Sequence, residues 1–220
     1  AGSDMVNSNV KAVIWDFGGV FSSSPFEAFN HYEHEKGLPK DIIRKINSIN
    51  PDTNAWALLE RSELTPDEFD KKFAEEAKAL GYTIPGKDVL GLLSGRLRPA
   101  VFEALKTCKK HFAVACITNN APIGKSPSMT SDPEKIKAVA EIFANFDHVI
   151  ESSKVGLRKP DPKIYELMCE ALNVEPAACV YLDDLGINLK PARAMGMTTI
   201  KVLNEAQLLS DLSEATGLEF

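Results

Sequence analysis

Two short stretches of this chain place acidic residues directly after an apolar run. Asp16 follows the run AVIW and precedes a phenylalanine and two glycines, Gly18 and Gly19, whereas Asp183 and Asp184 follow the run ACVYL. Such runs are typical of strands covered on both faces, and glycines allow the backbone to approach a ligand closely. Because ligands of open α/β sheets bind at the carboxyl ends of the strands, the two stretches predict one metal-assisted site at that edge of a parallel sheet.

Strand and helix patterns alternate from about residue 101 to the C-terminus. The predicted strands of this part cover residues 111–118, 148–151, 178–183 and 198–202. Before the third of them, Asp161 and Pro162 supply a capping carboxylate and a proline at the first helical position, and apolar residues then recur at three- and four-residue spacing. This alternation is typical of a parallel sheet with helices on both faces.

The first strand, which ends at Asp16, is separated from the next by more than ninety residues, far more than one crossover helix requires. The intervening chain has helical patterns, including a capping box from Thr65 to Glu68. The sequence therefore predicts an α/β core formed by residues 10–22 and 99–220, with a helical cap at 23–98 inserted after the first strand. The cap is expected to close over the pocket and to exclude water.

Composition excludes several classes of function. The chain has 220 residues, of which 44% are hydrophobic, and a formal net charge of −6 without long basic runs, which argues against a nucleic-acid partner. No stretch approaches the roughly 20 apolar residues needed to cross a bilayer, and a secretory pattern is absent. The four cysteines have no C-x-x-C spacing and are predicted to be reduced, mostly buried thiols. The protein is predicted to be soluble and cytoplasmic, and both a monomer and a homodimer remain open.

Each motif taken alone has an ordinary structural explanation. An aspartate at a strand end, such as Asp16, is often a turn or helix cap, and the Gly18–Gly19 pair is compatible with a tight turn that binds nothing. Thr118 and Asn119 follow an apolar run, and polar residues are common where a strand ends. Lys159 precedes a proline in a pattern that is typical of the start of a helix.

The order of these motifs along the chain, however, resembles that of the haloacid dehalogenase superfamily. The resemblance is most specific in residues 155–165 (VGLRKPDPKIY) and 181–192 (YLDDLGINLKPA). These runs look like the N-terminal phosphatase domain of soluble epoxide hydrolase and the similar domain fused to some acyl-CoA dehydrogenase-type proteins. The resemblance implies an α/β fold: a Rossmann-like parallel sheet with helices on both faces and an inserted all-helical cap.

The resemblance also implies a reaction, the hydrolysis of a small phosphorylated metabolite through an aspartyl-phosphate. Asp16 would attack phosphorus, which is a recognised use of a carboxylate nucleophile. Mg²⁺ would be held by Asp16, the backbone carbonyl of Gly18 and Asp184, with Asp183 orienting the waters on the metal.

The same resemblance assigns the binding of the phosphoryl group. Thr118, Asn119 and the backbone around Gly18 and Gly19 would contact its oxygens, and Lys159 would neutralise both the nucleophile and the transferring group. Without that cation the acids would repel one another and the incoming phosphate. Asn188 has two explanations, support of the metal site or a polar helix face.

One position departs from the family pattern. Active phosphatases of the superfamily usually have a second aspartate where this chain has Gly18, and that aspartate protonates the leaving oxygen and later activates water. Loss of a general acid/base typically lowers the rate about 10²–10⁴-fold. Three functions therefore remain: an acid-deficient phosphatase best on acyl or aryl phosphates, a domain that binds a phosphorylated ligand or partner without catalysis, and, ranked lowest, a 2-haloacid dehalogenase. Dehalogenases of the family dispense with the metal, whereas the Asp183–Asp184 pair is retained here.

Overall fold

The computed structural model describes residues 6–61, 63–119 and 133–220. The chain divides into two compact units. The first contains the described residues of Ala1–Ser23, Leu97–Ala121 and Lys137–Phe220 and carries all five strands given below; the second contains those of Ser24–Arg96 and Pro122–Ile136.

The first unit is built on a five-stranded sheet in which all neighbours pair in parallel, in the order β3-β2-β1-β4-β5. The strands are β1 (Ala12–Trp15), β2 (Ala113–Thr118), β3 (His148–Glu151), β4 (Cys179–Asp183) and β5 (Thr198–Lys201). The prediction for β3 is confirmed to the residue. β2 begins two residues later than predicted and β5 ends one residue earlier. β4 begins one residue later, because Pro176–Ala178 form a 3₁₀ turn ahead of it.

Eleven helices lie in the part of the chain that the structure describes. They are α1 (Pro25–Glu35), α2 (Ile42–Ser48), α3 (Ala55–Glu60), α4 (Pro66–Ala79), α5 (Gly86–Leu92), α6 (Pro99–Lys109), α7 (Pro133–Ala144), α8 (Ser152–Val155), α9 (Pro162–Leu172), α10 (Gly186–Ala194) and α11 (Glu205–Thr216). Asp161 caps α9 by accepting a hydrogen bond from the Lys163 N–H, as the sequence predicts. None of the described helices is long and apolar enough to span a bilayer.

Side chains of β1 alternate between two hydrophobic clusters, one on each face of the sheet. Val13 and Trp15 belong to one cluster, and Ala12 and Ile14 to the other. All four are fully buried, which explains why the run lacks polar residues. The four cysteines are buried, which confirms that part of the prediction, and their reduced state stays a prediction. The sheet with helices on both faces confirms the predicted fold class.

The second unit has a hydrophobic cluster of its own, formed by α1 to α5 and the segments between them. Phe69 and Phe73 of α4 are fully buried in it, in agreement with the helical spacing of their aromatic rings. The predicted capping box is confirmed, because the Thr65 hydroxyl accepts from the Glu68 N–H and the Glu68 carboxylate accepts from the Thr65 N–H. The function of this unit as a cap stays a prediction.

Candidate active site

Asp16 lies immediately after β1, at the carboxyl edge of the sheet. Its backbone N–H donates to the Leu182 carbonyl at 2.9 Å, so β1 remains paired with β4 at this residue. Its side-chain Oδ1 accepts from the Phe17 N–H at 2.8 Å, and the residue is buried. Strand pairing and this hydrogen bond together fix the carboxylate in one orientation.

The ammonium group of Lys159 contacts one aspartate from each of the two acidic stretches of the sequence. Its Nζ lies 2.9 Å from Asp16 Oδ1 and 2.9 Å from Asp183 Oδ2, and only 2% of the residue is exposed. The side-chain amide of Asn119 makes two hydrogen bonds with the Lys159 backbone. Its Oδ1 accepts from the Lys159 N–H at 2.8 Å, and its Nδ2 donates to the Lys159 carbonyl at 3.0 Å. In the structure Asn119 therefore positions Lys159, and its predicted contact with a phosphoryl oxygen stays a prediction.

Burial and neighbouring charges shift the pKa values of the ionisable groups in this site, in different directions for different residues. Desolvation, opposed by Lys159 and reinforced by Asp183 and Asp184, raises the pKa of Asp16 to about 7. Desolvation and the neighbouring Asp183 raise the pKa of Asp184 to about 6. Burial also acts on Asp183, but Lys159 and hydrogen-bond donors outweigh it and lower its pKa. Burial opposes the charge of Lys159, yet the two carboxylates raise its pKa, so it stays protonated.

The donor set fits a divalent cation. Asp16, Asp183 and Asp184 each place one carboxylate oxygen within 4.8 Å of the others. Three carboxylates face one ammonium group, so the cluster has an excess of negative charge when it is fully ionised. Hard cations such as Mg²⁺ prefer oxygen ligands of this kind, and binding requires that the ligands lose their protons.

Gly19 provides the space that the Asp184 carboxylate occupies. A Cβ atom placed on Gly19 would lie 2.2 Å from Asp184 Oδ2 and 2.4 Å from its Cγ, far inside van der Waals contact. Gly19 also has a φ of 79°, a left-handed conformation that favours glycine. Gly18 is not among the residues with positive φ, so the backbone constraint falls on the second glycine of the pair.

Gly19→Ala is expected to displace the Asp184 carboxylate and to weaken Mg²⁺ binding about tenfold or more, the scale of effect seen when groups that orient metal ligands are removed. Isothermal calorimetry with Mg²⁺ measures this effect. Gly37→Ala is the matched control, because Gly37 has a φ of 67° and a Cβ added there would have no heavy atom within 4 Å. Equal Mg²⁺ affinities in the two variants would contradict the assignment of this space to Asp184.

Thr118 ends β2, is 3% exposed and pairs in register with Glu151 of β3. The sequence therefore placed it correctly at the carboxyl edge of the sheet, while its predicted contact with phosphoryl oxygens stays a prediction.

Asn188, for which two explanations remained, is 4% exposed and points its Nδ2 at the Asp183 carboxylate, at 3.2 Å from Oδ2 and 3.4 Å from Oδ1. Its side chain is thus not part of an exposed polar helix face.

Tyr181 was missed by the sequence analysis. Its hydroxyl donates to Asp183 Oδ2 at 2.5 Å. Residues two positions apart on a strand share a face, so the alternation of β4 was a signal that could have connected Tyr181 to Asp183.

Comparison with known proteins identifies the family. The sequence profile of the haloacid dehalogenase-like hydrolases matches residues 10–196. The chain therefore belongs to the haloacid dehalogenase-like hydrolase family, and the resemblance drawn from its motifs is confirmed.

Three relatives are informative. The chain is 30% identical to Bifunctional epoxide hydrolase 2 of Mus musculus, over 96% of this chain and 40% of that protein. It is 29% identical to Acyl-CoA dehydrogenase family member 10 of Mus musculus, over 94% of this chain and 19% of that protein. The chain thus spans less than half of either mouse protein. It is 27% identical to Phosphatase MT3486 of Mycobacterium tuberculosis, over 90% of both proteins.

Solved structures support the fold. One is a haloacid dehalogenase family enzyme from Bacteroides thetaiotaomicron in complex with magnesium and inorganic phosphate. It aligns with a TM-score of 0.51 at 18% identity, over 89% of this chain and 96% of that one.

Proposed function

We propose that this protein is a Mg²⁺-dependent phosphatase that acts on small phosphorylated metabolites through an aspartyl-phosphate at Asp16. The observation that carries the proposal is the contact of 2.9 Å between the Lys159 ammonium and Asp16, beside the acidic cluster with Asp183 and Asp184. A buried carboxylate paired with a cation is suited to attack an anionic phosphoryl group. The phosphatase relative and the magnesium and phosphate bound by the similar solved structure support this choice.

The proposed reaction has two steps. An oxygen of the ionised Asp16 carboxylate forms a bond to phosphorus, and the bond from phosphorus to the leaving oxygen breaks, with the electron pair going to the leaving group. A water oxygen then forms a bond to the phosphorus of the aspartyl-phosphate, and the bond from phosphorus to the Asp16 oxygen breaks with its electron pair returning to the carboxylate. Inorganic phosphate leaves with the protons of the water molecule. Fixed positive charge matters in both steps, because phosphoryl transfer depends chiefly on positioning and electrostatic stabilisation.

Different residues of the site neutralise charge, bind the phosphoryl group and hold the metal. Lys159 neutralises Asp16 and the transferring group, and Thr118 with the backbone of Gly18 and Gly19 binds phosphoryl oxygens. Asp16, the Gly18 carbonyl and Asp184 would hold Mg²⁺, which neutralises charge on the phosphoryl oxygens when bound. Burial, reinforced by repulsion among these acids, raises the pKa of Asp16 to about 7 and that of Asp184 to about 6, and a divalent cation would offset both effects.

Gly18 limits the range of substrates. With no carboxyl group at this position, a leaving oxygen must depart without a proton from that side chain. Acyl and aryl phosphates, whose leaving groups are stable anions, are therefore the expected substrates, whereas alkyl phosphates are expected to react slowly.

Gly18 also favours a second candidate function, a domain that binds a phosphorylated ligand without turnover. The phosphate-binding residues and the metal ligands would serve binding equally well. The two functions differ in whether phosphate is released.

The test is phosphate release from a panel of acetyl phosphate, p-nitrophenyl phosphate and glycerol phosphate, with and without Mg²⁺. We expect Mg²⁺-dependent release from the first two compounds and its loss in Asp184→Asn. If no compound releases phosphate while calorimetry detects Mg²⁺-dependent binding of phosphate, the binding function takes its place.

A further inference from the structure

Among the residues that the structure describes, four groups donate hydrogen bonds to the carboxylate of Asp183, which is fully buried. Lys159 Nζ and the Tyr181 hydroxyl reach Oδ2 at 2.9 and 2.5 Å, and the Leu185 N–H reaches Oδ1 at 2.9 Å. Asn188 Nδ2 contacts both oxygens, at 3.2 and 3.4 Å. Asp183 thus differs from Asp184, because its oxygens are largely occupied by protein donors.

Tyr181 is itself fixed in place. It is fully buried, and its ring packs edge-on against that of Tyr165, with 5.4 Å between the centroids and 89° between the planes. The Tyr165 hydroxyl donates to the Asn188 carbonyl at 2.5 Å, so it also fixes the first turn of α10. Burial and the nearby acids raise the pKa of Tyr181 well above its ordinary value, which keeps its hydroxyl a neutral donor.

We propose that Tyr181 is a positioning residue: its hydroxyl orients Asp183, and Asp183 in turn places the Lys159 ammonium against Asp16. A lysine needs such an arrangement, because its ammonium group is a point charge on a flexible stem with freely rotating donors. Asn119 contacts only the Lys159 backbone, whereas the Nζ atom contacts two carboxylates, so those carboxylates define its position. The inference rests on the proposed phosphatase function and extends it to a residue that touches neither the substrate nor the nucleophile.

Tyr181→Phe tests the proposal, with Tyr32→Phe as the matched control. Both changes remove a tyrosine hydroxyl that donates to an aspartate, since the Tyr32 hydroxyl donates to Asp88 at 2.7 Å, but only the first removes a hydrogen bond to Asp183. The first readout is proton exchange of the Lys159 ammonium group in metal-free protein, observed by NMR with ¹⁵Nζ-labelled lysine and assigned through Lys159→Arg. The second readout is the affinity for inorganic phosphate in the presence of Mg²⁺, measured by calorimetry.

We expect Tyr181→Phe to accelerate ammonium exchange and to weaken phosphate binding about tenfold each, the scale of one hydrogen bond to a charged group. Tyr32→Phe is expected to stay within about twofold of wild type in both measurements, because its hydroxyl donates to Asp88 and not to the Asp183 carboxylate. Unchanged ammonium exchange in folded Tyr181→Phe, or an equal acceleration in Tyr32→Phe, would overturn the proposal.

If Tyr181→Phe does not fold, Asn188→Leu provides a second route, since it removes the contacts of another donor with the same carboxylate. Faster Lys159 exchange in that variant supports the proposal, and unchanged exchange overturns it. The exchange measurement needs neither substrate nor metal. A protein without phosphatase activity would therefore refute the proposed function and still give a definite result on the position of Lys159.

Discussion

Asp16→Asn is expected to abolish phosphate release, with a loss of at least about 10⁴-fold, because removal of a nucleophile eliminates the covalent route altogether. The variant is expected to fold. An asparagine oxygen can still accept the hydrogen bond that Asp16 Oδ1 receives from the Phe17 N–H at 2.8 Å, and can also accept one from Lys159. Single-turnover phosphate release measures the effect, and mass spectrometry of the trapped wild-type intermediate locates the phosphoryl group.

Asp147→Asn is the matched control for this prediction. Asp147 is also an aspartate that pairs with a lysine, Lys109 at 3.0 Å, and accepts from a backbone N–H, that of Val114 at 2.9 Å. It directly precedes β3, at the amino edge of the sheet and away from the carboxyl edge that carries Asp16, so its loss should leave turnover unchanged. A phosphoryl adduct on any residue other than Asp16 would falsify the assignment of the nucleophile.

Gly18→Asp is expected to raise the rate on alkyl phosphates about 10²–10⁴-fold, which is the usual contribution of a general acid. Aryl and acyl phosphates should gain little, because their leaving oxygens need no proton. The backbone carbonyl of residue 18 is preserved by the substitution. Backbone strain is not expected either, since the left-handed φ of 79° belongs to Gly19 and Gly18 is not among the positive-φ residues.

Gly18→Asn separates proton donation from the other effects of a side chain at this position. Asparagine has nearly the same size as aspartic acid but cannot act as the acid, so it should not accelerate alkyl phosphate hydrolysis. The measurement is the dependence of kcat/KM on the pKa of the leaving group in wild type and both variants. A folded, Mg²⁺-binding Gly18→Asp protein without any gain on alkyl phosphates would show that a missing acid is not what limits this enzyme.

The sequence alone determined the architecture and the main candidates of the site. The fully apolar run of β1 predicted a strand buried on both faces, and Ala12 to Trp15 do alternate between two hydrophobic clusters. Alternating strand and helix patterns predicted the parallel sheet. Because the carboxyl ends of parallel strands meet at one edge, the ends of β1, β2 and β4 predicted where Asp16, Thr118 and Asp183 lie. These are consequences of local patterns, which hydrophobic periodicity records directly.

Only the tertiary structure decided which groups contact one another within that edge. The Lys159 ammonium donates a hydrogen bond to Asp183, which is 24 residues away in the sequence. The Asn119 amide forms hydrogen bonds with the Lys159 backbone, which is 40 residues away. The space beside Gly19 belongs to Asp184, and Tyr181 donates to Asp183. Strand register and the packing of loops bring these groups within hydrogen-bond distance, and neither leaves a periodic signal in the sequence. The sequence therefore predicts which residues reach the edge of the sheet, whereas their pairing depends on distances between side-chain atoms that only the folded chain defines.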